Sequence, residues 1–257
     1  MNNMKKSLFL LFINTFLYGG LEYSMLIKSN IEDYISINKV KCYLQDEHLR
    51  LNFIFPYFRS ENEIDQYRKD LIKKNTYMIF NSSTGKIFFV NPYEKNYFEL
   101  PFGRSEFKNE NLENYKVEIK KLEKEKLENF ICRHIFIKYS YYTNINFKSE
   151  SRKIYIDEIK EIWFTDDKIF KDVPLNVKTF YCLSGIQQID SIIFNNLKEN
   201  ERGFPLKIST FRKIRDKSNI KEYYTEITIT NIKSYNIHND FFTIPPEYKK
   251  IKLSPNL

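Results

Sequence analysis

Glycine is scarce in this chain of 257 residues, with six present. Apart from the adjacent Gly19 and Gly20 they stand alone, at Gly85, Gly103, Gly185 and Gly203. Wrapping a phosphate in backbone amides takes closely spaced glycines, so phosphate-loop and dinucleotide-binding chemistry are excluded. Cysteine is equally sparse. Cys42, Cys132 and Cys182 lie far apart and form no C-x-x-C pair, which argues against a zinc knuckle or thioredoxin-like chemistry. One disulfide plus one free thiol, or three buried reduced thiols, both fit the spacing. The three histidines, His48, His134 and His238, belong to no H-E-x-x-H or H-x-H motif, so no metal site and no cofactor are expected. Ser184 precedes Gly185 only within Leu-Ser-Gly, which is no nucleophile elbow. No apolar run reaches the ~20 residues that cross a bilayer. No block of one charge sign exists either. The net charge is +8, but lysines alternate with glutamates, as across Glu118–Lys126, so the excess is spread over solvated surface.

What is present begins at the N-terminus. Lys5 and Lys6 precede an apolar stretch, Leu8–Tyr18, closed by Gly19 and Gly20. A short basic segment, a brief apolar core and small residues are the layout of a secretory signal peptide. Leu17 and Tyr18 depart from the small residue preferred near the cleavage site. The expected organisation is a leader over 1–20 and a single domain over 21–257. The mature chain is then periplasmic or otherwise exported, and has no transmembrane anchor. Export also disfavours nucleic acid as a partner, despite the basic charge and the aromatics.

Aromatic residues make up 17% of the chain, with 23 Phe and 19 Tyr against one Trp. Aromatics and β-branched residues suit half-buried pleated surfaces, which predicts a β-rich fold. Strands are expected over Leu21–Lys28 and in a hairpin, Lys39–Leu44 with His48–Phe55, turning at Gln45-Asp46-Glu47. In the second limb Leu49, Leu51, Phe53 and Phe55 alternate with Arg50, Asn52 and Ile54. A meander follows, Thr76–Asn81, Lys86–Asn91 and Asn96–Leu100, with turn chemistry at Ser82–Gly85 and Pro92–Lys95. Its first two strands are apolar on both sides, as if one face met helices and the other a ligand or partner. Glu61–Lys74 and Ile186–Leu197 carry helical spacing. Asn114–Phe130 fits strand and helix equally. Strands are again expected over Ile131–Tyr142, Lys153–Thr165 and Tyr223–Tyr235, and extended structure over Gly203–Phe211.

Catalytic constellations are thin, and the chain is not expected to be an enzyme. Asp157/Glu158 and Asp166/Asp167 are sequence neighbours whose side chains diverge on a strand, and solvated turn or edge positions are expected for them. Cys132 and His134 would share one strand face, a geometry open to a nucleophile and its base, but the apolar flanks favour a buried structural thiol.

Several segments in order resemble LolA-type proteins of the LolA/LolB-like lipoprotein-carrier superfamily. The hairpin Lys41–Arg50, the meander Phe80–Tyr97, the strand Glu161-Ile-Trp-Phe-Thr-Asp166, Gly203-Phe-Pro-Leu-Lys207 and the ending Phe242–Tyr248 carry it. Asn129-Phe-Ile-Cys132 is similar to a strand start in an uncharacterised branch of that superfamily, with Asn129 in place of its glycine. The resemblance implies a mainly β, α+β fold: a strongly curved antiparallel sheet forming an open half barrel, with a few helices against its concave face. It also implies that the concavity receives an acylated or other apolar ligand, a lipoprotein or lipid. Leu51, Phe53, Phe55, Ile154, Ile156, Ile227 and Ile229 are the expected ligand-binding wall, and a core packed only by helices explains the same residues. An envelope protein-interaction, stress-sensing or structural domain with a protein partner and no small ligand is the alternative.

Overall fold

The computed structural model describes residues 20–31, 34–58, 76–101, 112–147, 150–174, 177–178, 184, 186–198, 201–217 and 219–252. The expected leader and the expected helix Glu61–Lys74 lie outside them, apart from Gly20, which begins the first strand.

Among the described residues thirteen strands form one sheet: β1 (Gly20–Ile31), β2 (Tyr34–Gln45), β3 (His48–Phe58), β4 (Tyr77–Asn81), β5 (Lys86–Asn91), β6 (Asn96–Pro101), β7 (Glu113–Lys121), β8 (Glu125–Leu127), β9 (Phe130–Phe147), β10 (Glu150–Thr165), β11 (Phe204–Asp216), β12 (Asn219–Tyr235) and β13 (Lys249–Lys250). Their order is β13-β6-β5-β4-β3-β2-β1-β12-β11-β10-β9-β7, with β8 paired to β9. Every pairing is antiparallel except the short β13–β6 contact. Two meanders, β1 to β6 and β9 to β12, are therefore sewn together by β1 against β12. Among the described residues the sheet is open: β13, added to β6, lies at one edge and β7 at the other, so β6 and β7, consecutive in sequence, stand at opposite ends of it. The result is the open, curved half barrel that the resemblance implied, within the β-rich fold expected from the composition. The stretch that fitted helix and strand equally forms β7 and β8. The alternation Val117, Ile119 decided it, with those residues packing against β9 and β10.

Alternation sets which residues face inward. Pairing aligns Phe98, Phe89, Met78, Leu51, Cys42 and Tyr23 in one row across β6 to β1. Two rows along the same face, Ile27, Ile227, Ile208, Ile162 and Ile135 continue across β12 to β9. The helix α1 (Gln187–Asn196) sits on this face, and its Ile189 and Ile193, followed by Leu197, pack with Ile135, Ile137, Ile162 and Ile208. Those spacings of four place one apolar stripe toward the sheet. Beyond the helix, Arg202 donates to the Phe194 and Leu197 carbonyls, which its last turn leaves unpaired. Gly203 then allows β11 to begin hard against β10. A Cβ there would lie 2.3 Å from the Thr165 carbonyl oxygen, a backbone atom that cannot give way.

The outer face of β3 to β6 is covered by the chain's own ending. Tyr77, Ile79 and Val90 are buried with Ile244 and Tyr248. The Arg50 guanidinium lies 3.7 Å from the Tyr77 ring centre and 3.9 Å from that of Phe241, and donates to the Phe241 carbonyl at 2.6 Å. On this face of the two-sided apolar strands the cover is therefore the tail, rather than helices, a ligand or a partner. Cys42 and Cys132 are buried, reduced thiols, and Cys182 lies outside the described residues.

Candidate functional site

The inner face is the candidate site. Phe53, Val40, Met25 and Ile229 form one row across β3, β2, β1 and β12. Leu51, Ile154, Ile156 and Ile229 are buried, whereas Phe53 is 37% exposed. Ile227 is half-buried and touches both main core clusters. Phe55 belongs to β3, but its side chain lies outside the described residues. Leu51, Phe53, Ile227 and Ile229 thus come together. Ile154 and Ile156 share their face but stand apart, because a polar belt intervenes.

That belt was not anticipated. One row runs Ser36, Ser29, Thr225, Thr210, Lys160, and the next runs Ile31, Tyr223, Arg212, Glu158, Tyr139. The Ser29 and Thr225 hydroxyls are 3.5 Å apart. Glu158 is fully buried, which corrects its expected place as a solvated carboxylate. It accepts from the Arg212 guanidinium and the Tyr139 hydroxyl, and the Lys160 ammonium lies 3.6 Å away. Burial first, and the Glu158 charge second, push the Tyr139 hydroxyl far above its ordinary pKa, so it remains a donor. The signal was present in the period of two: Ile154, Ile156, Glu158, Lys160 and Ile162 share one face, so charges there must enter the interior.

The opposite face carries the Cys132/His134 neighbourhood. His134 is held between Glu125 at 2.8 Å and Glu161 at 2.6 Å, and its ring stacks on Trp163 at 4.1 Å. The Trp163 indole N–H and then His134 hold the Glu125 carboxyl below the usual range, against the opposing pull of desolvation. Burial, reinforced by the Glu125 charge, pushes the Cys132 thiol up to about 11. A thiol so raised is protonated at neutral pH and is a poor nucleophile. Asp167 caps the short 3-10 turn Lys168–Phe170 by accepting from the Ile169 amide at 3.0 Å, and Asp166 is bound by Arg133. Among the described residues no three His, Cys, Asp or Glu side chains converge as a metal site.

Glu22, on the same outer face, gives a pH prediction. Desolvation pushes its carboxyl up, but the Lys233 ammonium at 2.9 Å and that of Lys41 at 3.2 Å outweigh it and hold the pKa below the ordinary value. A depressed folded-state pKa adds stability above the unfolded value of ~4.3, and loses it as pH falls through the folded one. Lys233→Met is expected to lower Tm near neutrality, the difference from the wild type shrinking as pH falls through the carboxylate range, so that the acid side of a plot of Tm against pH is flatter. Thermal melts across the carboxylate range check this.

These features define an open, curved antiparallel sheet with one apolar wall, a polar belt and a chain-covered outer face. The chain belongs to the family described as "Domain of unknown function (DUF4412)", whose model matches residues 49–248. No curated protein matches it. Among solved structures it is similar to PNGF-II, at 12% identity over 90% of this chain and 31% of that one, with a TM-score of 0.37. A structure titled "Lipid-protein interactions in lipovitellin" gives 7% identity, 86% and 26% coverage and a TM-score of 0.35. A DUF1329 family protein from Desulfovibrio piger gives 6% identity, 91% and 93% coverage and a TM-score of 0.20. The chain spans about a third or less of the first two, and likenesses this distant carry no functional argument. Among the described residues no helix is long and apolar enough to cross a membrane.

Proposed function

We propose that this is an exported, LolA-like protein that binds or carries an acylated or otherwise apolar ligand, a lipid or lipoprotein, on the inner face of its sheet, and that it is not an enzyme. The observation that carries the reading is the order of rows on that face. An apolar surface containing the part-exposed Phe53 and half-buried Ile227 passes directly into the half-buried, hydroxyl-bearing Ser29, Thr225 and Thr210. An acyl chain gains ~0.8 kcal/mol per methylene buried on such a wall, while the belt receives its polar end. Buried methylenes need no specific partner, so this site leaves no polar motif in the sequence. The leader supports export, and the protonated Cys132 supports binding over nucleophilic catalysis.

Protein purified from the cell envelope should release lipid on solvent extraction and show adducts by native mass spectrometry. Ile227→Glu, which puts a charge between the apolar rows, should weaken uptake of a fluorescent fatty acid by about tenfold or more. A clean apo protein that takes up no probe would overturn the reading. The second reading, a protein-interaction domain of the envelope, draws on the outer-face pair Phe211 and Tyr224, which face each other across β11 and β12 and are 37% and 39% exposed.

A further inference from the structure

On the face opposite the apolar wall, a hollow of about 570 Å³ opens beside β7, β9, β10 and β11. Four of its lining residues, Lys116, Lys153, Arg215 and Lys217, are basic and none is acidic. Pairing builds it. Tyr142 on β9 faces Tyr155 on β10, which faces Arg215 on β11, and Lys116 on β7 faces Ser140 on β9. The two tyrosine rings lie 4.9 Å apart and form a floor. The Lys153 ammonium is 5.0 Å from the Tyr142 ring centre and the Arg215 guanidinium 5.5 Å from that of Tyr155. Lys217 joins from the turn after β11, with a φ of 48°. Ser140 and Asn114 add neutral donors. Of the neighbouring carboxylates, Asp157 lies across from Ser140 by register and Asp216 pairs with Arg152 at 3.7 Å. The cations therefore outnumber the acids.

We propose that this hollow binds a phosphate-bearing anion, whether a lipid headgroup or a free phosphate ester. A single carboxylate would leave most of the positive charge uncompensated, whereas a phosphate accepts from several directions at once. Arginine meets it with a planar fork and lysines as point charges. The tyrosine floor receives the less polar part of the ligand, as aromatic faces beside cations do. The site lies on the other face from the acyl wall and does not rest on that reading.

The test uses the mature chain with two probes at low salt: glycerol phosphate by calorimetry, and phosphatidylglycerol/phosphatidylcholine vesicles by co-sedimentation against phosphatidylcholine alone. Binding of glycerol phosphate identifies a free-ester site, and binding of the anionic vesicles alone identifies a headgroup site. In either arm Lys153→Gln/Arg215→Gln should weaken binding by about tenfold or more, because two charge-assisted contacts are lost. Both side chains are exposed, so folding should be unaffected, and circular dichroism checks this. Lys39→Gln/Lys249→Gln removes equal charge from exposed positions elsewhere and should leave binding within about twofold. No binding of either probe by the wild type, retention in the first variant, or an equal loss in the second each overturns the proposal.

Discussion

Glu158→Ala is expected to lower the unfolding free energy by about 3–5 kcal/mol, a large share of the stability of a domain this size. Glu158 is 0% exposed and Lys160 5%, and along β10 both lie between Ile156 and Ile162 on the inner face. Removing the carboxylate takes a counter-charge from the Lys160 ammonium and from the inner part of Arg212, and takes the acceptor from the Tyr139 hydroxyl. Cost arises from the groups left behind more than from the pair itself. Glu158→Gln should cost less, since its amide oxygen still accepts from Tyr139 and Arg212. Replacing Glu158, Lys160 and Arg212 together by Leu, Leu and Met should recover much of the loss, because no charge then remains to desolvate. Urea unfolding with an unchanged m-value reads each step. A loss below ~1 kcal/mol for Glu158→Ala would mean that water reaches the cluster and that the belt is a solvated groove. The triple variant also bears on function. If the belt receives the polar end of a ligand, the triple variant should recover stability while fatty-acid uptake falls.

The contrast between belt and wall shows what the sequence could disclose. Alternation in Leu49, Leu51 and Phe53 located β3 and its buried face, because a period of two is the direct imprint of a pleated strand with one dry side. The turn at Asp46 was visible through its chemistry, and Asp46 indeed takes a φ of 50°. The helix at Ile189 and Ile193 was legible for the same reason at a different period. Glu158 was misplaced because a carboxylate is exposed far more often than not, and the partners that make its burial tolerable include Arg212 on β11, 54 residues later, and Tyr139 on β9. Long-range partners of that kind leave no local pattern. The tail's cover of Tyr77 and Ile79 was missed for a related reason. Two-sided apolar strands reveal that something lies on each face, but Ile244 and Tyr248 are irregular in structure and carry no period.

Phe204→Ala is expected to destabilise the chain by about 3–5 kcal/mol. Phe204 is fully buried at the start of β11, stacked on Phe170 with ring centres 4.2 Å apart and planes at 4°, and edge-on to Tyr23 at 5.7 Å. Phe170 in turn meets Phe130 at 5.8 Å. The ring therefore joins β1, the segment that follows β10 and the start of β9 at one point. Its loss forfeits the transfer energy of the ring and leaves a void, and the flanking backbone has little freedom to collapse because Gly203 is already packed on the Thr165 carbonyl. Phe204→Leu should retain part of the volume and cost less. A cycle of Phe204→Ala and Phe170→Ala should show coupling of about 0.5–1.5 kcal/mol, the signature of an aromatic pair beyond simple burial. The void adjoins Tyr23 and Leu206 in the same core cluster as the apolar wall, so Phe204→Ala should also take up a small apolar probe such as benzene, seen as a rise in Tm on its addition. Full stability in Phe204→Ala, or purely additive losses in the cycle, would show that this aromatic group is not what clamps the segment after β10 onto the sheet.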